Sequence, residues 1–353
     1  MTTDSVKLCR FGAHRVIEPP GALPQGAWRL DATPVVQANE LLCDVEALNI
    51  DSASFTQICE ACDGDAKAIG EHILATVRER GKQHNAVTGS GGMFVGRVRE
   101  IGAQLRGHVD VRPGDRIASL VSLTLTPLHI EEVLAIDPAT ARVQVRGTAV
   151  LFESAAWARL PQDFDDRVAL AVLDVAGAPA QVQRLCKPGQ SVVVIGAAGK
   201  SGILACAQAK GCVGPSGRVI GVVHAAASSG AKLLREGDYV DELVESDARD
   251  ALALFDAVSA VLPGGADVVI NCVNVAGTEA GTILCAKEGG IIYFFSMATS
   301  FTAAALSAEG LGKDVTMIVG TGFVPGHAQL ALDTVRAHPA ISEHFHHIYG
   351  RQS

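Results

Sequence analysis

Residues 190–211 read Gln-Ser-Val-Val-Val-Ile-Gly-Ala-Ala-Gly-Lys-Ser-Gly-Ile-Leu-Ala-Cys-Ala-Gln-Ala-Lys-Gly. The segment opens on a short β-branched run, the pattern of a strand buried on both faces. It closes on a small-residue helical stretch. Between them lies Gly196-Ala197-Ala198-Gly199-Lys200-Ser201-Gly202, with a glycine at every third position. In this order of strand, turn and helix, glycines let the backbone turn sharply and approach a pyrophosphate. The start of the helix then offers free N–H groups and a positive dipole end. Gly196, Ala198, Gly199, Lys200, Ser201 and Gly202 are therefore candidate contacts to a dinucleotide. The plainer alternative is an ordinary tight βα turn. Gly199-Lys200-Ser201 also matches the end of a P-loop, but that motif needs a glycine where Val194 stands. A P-loop-like nucleotide-binding protein is the alternative from a different class.

Outward from this turn the same rhythm repeats. GRVIGVVH (217–224), ADVVINCVN (266–274), GGIIYFFS (289–296) and KDVTMIVGT (313–321) are further apolar runs separated by helical stretches. Such alternation predicts an α/β domain with a doubly wound parallel sheet. Upstream, residues 165–185 have helical spacing. Before Pro161 the chain is different: ELLCDVEAL (40–48), GMFVGRVREIG (92–102) and RPGDRIASLV (112–121) read as strands, with a polar helix over 63–82. The chain of 353 residues is long enough for about two domains. The expected division is a β-rich domain of 1–160 completed by 325–353, and a dinucleotide domain of 161–324. After the last run, one helix and a polar tail are expected. His224, Asn271 and Ser296, near the ends of apolar runs, are further candidate cofactor contacts. No Asp or Glu follows the second run to hold an adenosine ribose. Ser228, Ser229 and Lys232 could instead lie near a 2′-phosphate, so the cofactor is NAD or NADP.

Composition removes several function classes. The chain is 48% apolar and 19% charged, which suits a packed core. Its net charge is −9 and no basic stripe is visible, so no nucleic-acid partner is expected. The N-terminal MTTDSVKLCRFG lacks the apolar core of a signal peptide, and no run of about 18 apolar residues suggests a membrane span. The nine scattered cysteines do not resemble a disulfide framework and point to a reducing cytoplasm. A small-molecule partner is left as the expectation.

Three local patterns together resemble the medium-chain dehydrogenase/reductase superfamily. They are Gly96–Gly102 followed by RPGDRI, AlaLeuAsn at 47–49 followed by IleAspSer, and the turn GAAGKSG. The resemblance implies a Rossmann domain, a β-rich GroES-like catalytic domain, and a homo-oligomer, dimer or tetramer. Where zinc-dependent members carry a cysteine ligand, this chain has Asn49. Their Gly-His-Glu segment falls on Gly91, Gly92 and Met93. With neither thiolate nor imidazole at these positions, no metal is expected. Cys59 and Cys62 lack the partners of a structural zinc lobe and read as free thiols. Within the zinc-less group, residues 11–31, 47–55, 88–98 and 173–179 are similar to the L-erythro-3,5-diaminohexanoate dehydrogenase family of lysine fermentation. That resemblance implies NAD(P)-linked oxidative deamination of (3S,5S)-3,5-diaminohexanoate to 5-amino-3-oxohexanoate and ammonia. A zinc-less quinone or enone reductase is the same-fold alternative.

Such chemistry requires groups that take and return protons. Asp51 is the first candidate, since in the superfamily alignment it falls where zinc members place a proton-relaying hydroxyl. Its alternative is a helix N-cap ahead of SASF. Asp174 is the second, because a carboxylate within the apolar LAVLDVAG is costly to bury without a purpose. His129 and Glu131 share one face of an alternating strand, with Glu132 on the other; a solvated strand edge is the alternative. Glu153 is a weaker candidate. Arg15, beside His14, could bind a carboxylate, with an ordinary surface arginine as the alternative. His344, His346 and His347 read as part of the polar tail.

Overall fold

The structure, a computed structural model, describes residues 8–85, 91–138, 140–320 and 322–350. Residues 1–7 of the N-terminal stretch, Thr88–Ser90 of the segment at 88–98, and Thr321 lie outside the described residues. The chain divides into two units, Met1–Pro161 and Gln162–Ser353.

In the first unit, β1 (Val16–Glu18) and β2 (Arg29–Leu30) form a small antiparallel pair. Six further strands build one antiparallel sheet: β3 (Glu40–Asn49), β4 (Met93–Ile101), β5 (Arg116–Ser119), β6 (Leu128–Asp137), β7 (Arg142–Phe152) and β8 (Trp157–Arg159). Their order is β6-β7-β3-β4-β5-β8. Leu41, Cys43, Val45 and Leu48 of the central β3 join Phe94, Val98, Val143 and Val145 in the core. Two helices separate β3 from β4 in sequence, α1 (Ser52–Ala61) and α2 (Ala66–Arg80). α2 buries Ile69, Ile73 and Val77, four apart and so on one face. That face packs on β6.

The first unit corrects the surface reading of Arg15. Its side chain is 1% exposed and grips Glu40 with two nitrogens, Nε to Oε1 at 2.8 Å and Nη2 to Oε2 at 2.6 Å. His14 Nε2 lies 2.8 Å from Glu40 Oε1, and the Gln37 N–H donates to Oε2 at 2.8 Å. Arg15 also donates to the Thr33 and Val35 carbonyls. Burial alone would raise the Glu40 carboxyl, but the hydrogen bonds from Arg15, His14 and Gln37 outweigh it and hold the group at about 2. A carboxylate depressed on folding stabilises the native state above its unfolded pKa and stops doing so as pH falls through the folded one. Thermal stability of this unit should therefore fall as pH drops from about 4.5 towards 2, where unfolded chains take up the proton first. Glu40→Gln leaves the buried guanidinium with Asp31 as its one remaining carboxylate partner, 3.4 Å from Nη1 and part-exposed, and breaking a buried pair typically costs about 3–5 kcal/mol. Melting curves at neutral pH should show a drop of roughly 6–20 °C, with a weaker acid transition than in the parent. A variant as stable as the parent would mean that this network does not hold the unit together.

The second unit carries a parallel sheet of β9 (Ser191–Ile195), β10 (Arg218–Val223), β11 (Glu242–Glu245), β12 (Ala266–Asn271), β13 (Ala286–Phe294) and β14 (Val315–Val319). The order β11-β10-β9-β12-β13-β14 makes the chain run outward one way from β9 and then the other way from β12. A ligand crevice opens at such a reversal, at the carboxyl ends of the strands. The helical stretch at 165–185 is two helices, α3 (Asp166–Leu173) and α4 (Gly177–Leu185). Crossovers are supplied by α5 (Lys200–Val213), α6 (Ser229–Glu236), α7 (Ala251–Val261), α8 (Glu279–Leu284) and α9 (Phe301–Leu311).

The C-terminal segment departs from the expected domain division and from the expected tail. It forms two helices, α10 (His327–Ala337) and α11 (Pro339–Tyr349), and groups with the second unit. Ala331, Leu332 and Val335 of α10 and Ile341 and Phe345 of α11 are buried, and these helices pack against α3, α4, α5 and α6. The apolar stripe of each helix decides where it docks. His344 is half-buried within α11, while His346 and His347 lie exposed on it, so none belongs to a frayed tail. Among the described residues no helix is long and apolar enough to cross a membrane.

Candidate functional site

The glycine turn closes β9 and opens α5, and its three glycines are required for three different reasons. Gly196 has φ +79°, a left-handed conformation that disfavours any side chain. Its N–H and that of Ala197 donate to the Val222 carbonyl at 3.0 and 2.9 Å, which ties the turn to β10. Gly202 is fixed by packing, since a Cβ there would stand 2.2 Å from the Gly196 carbonyl oxygen and 2.6 Å from Ala197 Cα. Gly199 meets neither constraint. Its φ is −80°, and a Cβ would find only the Gly196 oxygen, at 3.4 Å. The fold does not need a glycine at 199; a ligand approaching the exposed backbone from outside would.

The helix start behind Gly199 is built to match. α1, α2, α3, α6, α7 and α9 each begin on an Asp or Ser whose side chain accepts an N–H of the first turn. α4, α8, α10 and α11 begin without a side-chain cap, and so does α5, which starts on Gly199 directly behind the glycine turn. Its first N–H groups thus have no acceptor within the helix, beside a cradle that a side chain would fill. The residues present fit an anionic pyrophosphate. Gly230, near the start of α6, closes the turn from behind, because a Cβ there would lie 2.2 Å from the Ala198 oxygen.

The other sequence candidates in this unit divide by how their polar atoms are used. Lys200 Nζ lies 2.5 Å from Asp174 Oδ2 and 5.9 Å from the Tyr349 ring centre. Asp174 is not buried, in contrast to its sequence reading. It is the C-cap of α3, with 47% of its side chain exposed and a cation as partner. Ser201 is turned inward, hydrogen-bonded to the Cys272 thiol, which burial pushes up to about 12. Asn271 is fully buried, and both its N–H donors serve the chain itself, at Thr278 Oγ1 and Thr282 Oγ1. Its oxygen accepts the Val273 N–H at 2.9 Å. Asn271 shapes the loop after β12 rather than offering free groups. Ser296 follows β13, donates to Asn274 Oδ1 at 3.2 Å and accepts the Ala298 N–H. His224 follows β10 and is exposed.

In the first unit, Asp51 is the N-cap of α1. Its Oδ1 accepts the Ser54 N–H at 3.0 Å, while its Oδ2 is buried with no hydrogen-bond partner among the described residues. Gly92, with φ +84°, closes over it, since a Cβ there would stand 2.1 Å from the Asn49 oxygen and 2.9 Å from the Asp51 nitrogen. No histidine fits at this position, which gives a steric reason for its absence. His129 and Glu131 lie exposed on β6, at the sheet edge. A register shift between Ile130 and Glu132 breaks the expected alternation, so Glu131 and Glu132 both reach Arg146, at 3.1 and 2.5 Å. Their charges are already paired. Glu153 is paired loosely with Arg10 at 3.7 Å.

Sequence reading missed the stretch Lys82–His84. Lys82 is fully buried, its ammonium donates to the Pro24 carbonyl, and burial lowers it to about 8. Burial also lowers His84. Gln83 Oε1, His84 Nδ1 and Thr124 Oγ1 are buried without partners among the described residues. Gly91 brings two of these segments together, because a Cβ there would meet the Gln83 oxygen at 2.5 Å and the Thr124 nitrogen at 2.9 Å. Nothing in the local pattern signals this, since the neighbours are distant in sequence. Among the described residues no group of three His, Cys, Asp or Glu is placed to hold a metal.

Known proteins resemble this chain along its length. Residues 14–161 match a family profile described as the L-erythro-3,5-diaminohexanoate dehydrogenase N-terminal domain. An L-erythro-3,5-diaminohexanoate dehydrogenase of Acetoanaerobium sticklandii is 50% identical over 345 residues, 98% of this chain and 100% of that one. One of the same name from Fusobacterium nucleatum is 51% identical over 347 residues, 97% of this chain and 99% of that one. In fold, the chain is similar to a quinone oxidoreductase from Coxiella burnetii, with a TM-score of 0.52 at 18% identity over 88% of this chain and 87% of that one.

Proposed function

Since the chain belongs to the L-erythro-3,5-diaminohexanoate dehydrogenase family, we propose that it oxidatively deaminates (3S,5S)-3,5-diaminohexanoate with NAD or NADP. The products are 5-amino-3-oxohexanoate, ammonium, the reduced dinucleotide and a proton. The observation that carries this reading is identity at half of all positions, end to end, with two dehydrogenases of that name. The uncapped start of α5 behind Gly199 supports the dinucleotide. Lys200 belongs to that turn, with its ammonium paired to Asp174.

The bound nicotinamide supplies the hydride acceptor. The protein's part is to manage protons and charge around the amine. An ammonium on carbon 3 must lose a proton before its carbon can release hydride. Water then adds to the resulting iminium carbon, and ammonia leaves. Asp51 is proposed as the proton acceptor, acting through Oδ2. That oxygen is buried with no partner among the described residues, while Oδ1 anchors the helix, so an N–H donor from a substrate would complete the site. A buried carboxylate oxygen without a donor is costly unless a ligand satisfies it. His129 and Glu131 are not assigned a part.

The test is spectrophotometric, following reduced nicotinamide as the enzyme meets the diamino acid and NAD or NADP. Turnover that survives a chelator and elemental analysis without stoichiometric zinc is the expected result. Reduction of an enone by NADPH with no diamine turnover would favour the quinone or enone reductase. We further propose a cytoplasmic homo-oligomer. Nine free thiols support the compartment. Exposed Phe301, Leu306 and Leu311 on α9, with Val319 on the edge strand β14, support association of copies.

A further inference from the structure

The second strand of a dinucleotide domain usually ends in an acid that holds the adenosine ribose. Here β10 ends at Val223 and is followed by the exposed His224. The parallel register sets Val223 opposite Glu245, the last residue of β11. A carboxylate is thus delivered to the same level of the sheet from the neighbouring strand. Glu245 Oε2 accepts the Ala226 N–H at 2.8 Å, so the side chain leans across the loop that follows β10. Its other oxygen has no hydrogen bond among the described residues, and the residue is exposed. This loop leads into α6, whose Gly230 lies against the turn at Ala198.

Two cations of this region lie near carboxylates of their own. Arg249 is clamped by Asp247, with Nε to Oδ1 at 3.0 Å and Nη2 to Oδ2 at 2.7 Å. Lys232 lies 3.8 Å from Glu236 on its own helix. Ser228 Oγ accepts the Ala231 N–H at 3.3 Å.

From this arrangement we infer that Glu245 receives the adenosine ribose hydroxyls and makes the site selective for NAD over NADP. Its free oxygen accepts from vicinal hydroxyls, and its charge repels a phosphate on the 2′ position. The inference rests on the dinucleotide reading of the glycine turn.

Calorimetric titration of the full chain with NAD and with NADP tests both at once. The parent should bind NAD more tightly. Glu245→Gln keeps the size and the contact to Ala226 but removes the charge. It should weaken NAD and strengthen NADP, and shift their ratio by about tenfold or more, the scale of one charge-assisted hydrogen bond. Circular dichroism and melting temperature should stay at the parent values. If both dinucleotides bind but the ratio does not move, Glu245 is not the determinant. A parent that binds neither overturns the dinucleotide reading as well.

Discussion

Gly199→Val should abolish dinucleotide binding and leave the fold intact. A side chain at 199 fits the protein, at an ordinary φ of −80° with its nearest contact at 3.4 Å. It adds bulk at the exposed N-cap of α5, where the first N–H groups have no side-chain cap. Losing two charge-assisted contacts of about 1.5–3 kcal/mol each weakens binding by roughly two orders of magnitude or more. The contrast is Gly202→Val, which forces a Cβ to within 2.2 Å of the Gly196 oxygen. Backbone lies on the other side of that contact, so the strand and helix must separate. Overpacking of this kind costs about 1–3 kcal/mol, occasionally more. Calorimetry with NAD and thermal melting therefore separate the two glycines. The first variant should melt like the parent and fail to bind; the second should melt early. Normal affinity in Gly199→Val would remove the turn from the cofactor site.

The second large effect is on rate. Asp51→Asn keeps the size and, through its amide oxygen, the cap on the Ser54 N–H. It removes the proton-accepting oxygen, and losing a positioned base costs about 10²–10⁴ in rate. Steady-state kinetics on the diamine should show the fall in kcat, with dinucleotide affinity unchanged because Asp51 is not part of the glycine turn that holds the pyrophosphate. Raising the pH should recover part of the activity, as more substrate arrives already deprotonated. Asp174→Asn should act differently. It frees Lys200 and should alter dinucleotide affinity before it alters the chemical step. If Asp51→Asn retains near-parent kcat/KM at every pH, proton transfer belongs to another group, and His84 is the next to test.

The local chemistry of the chain determined much of this protein. The β-branched run at 191–195 and the glycines after it can be little other than a buried strand and a turn, because each choice is made by neighbours in sequence. The same holds for the other runs of the parallel sheet and for Asp51 as a helix cap. What the sequence could not show depends on partners brought from far away. Arg15 looks like a surface residue until Glu40, 25 positions on, closes around it. Asp174 looks buried because its neighbours are apolar, yet the helix ends there and Lys200 arrives from the turn. The C-terminal helices go to the second unit because their apolar stripes pack against α3–α6, a choice made by shape. The end of β10 carries no acid of its own. A parallel sheet sets side by side residues separated by a whole crossover, so Glu245 stands beside Val223 although it follows 22 positions later in the chain. Local pattern fixes which elements form and where backbone must bend. Only packing decides which charges meet, which stay exposed, and which buried atoms are left open for a ligand.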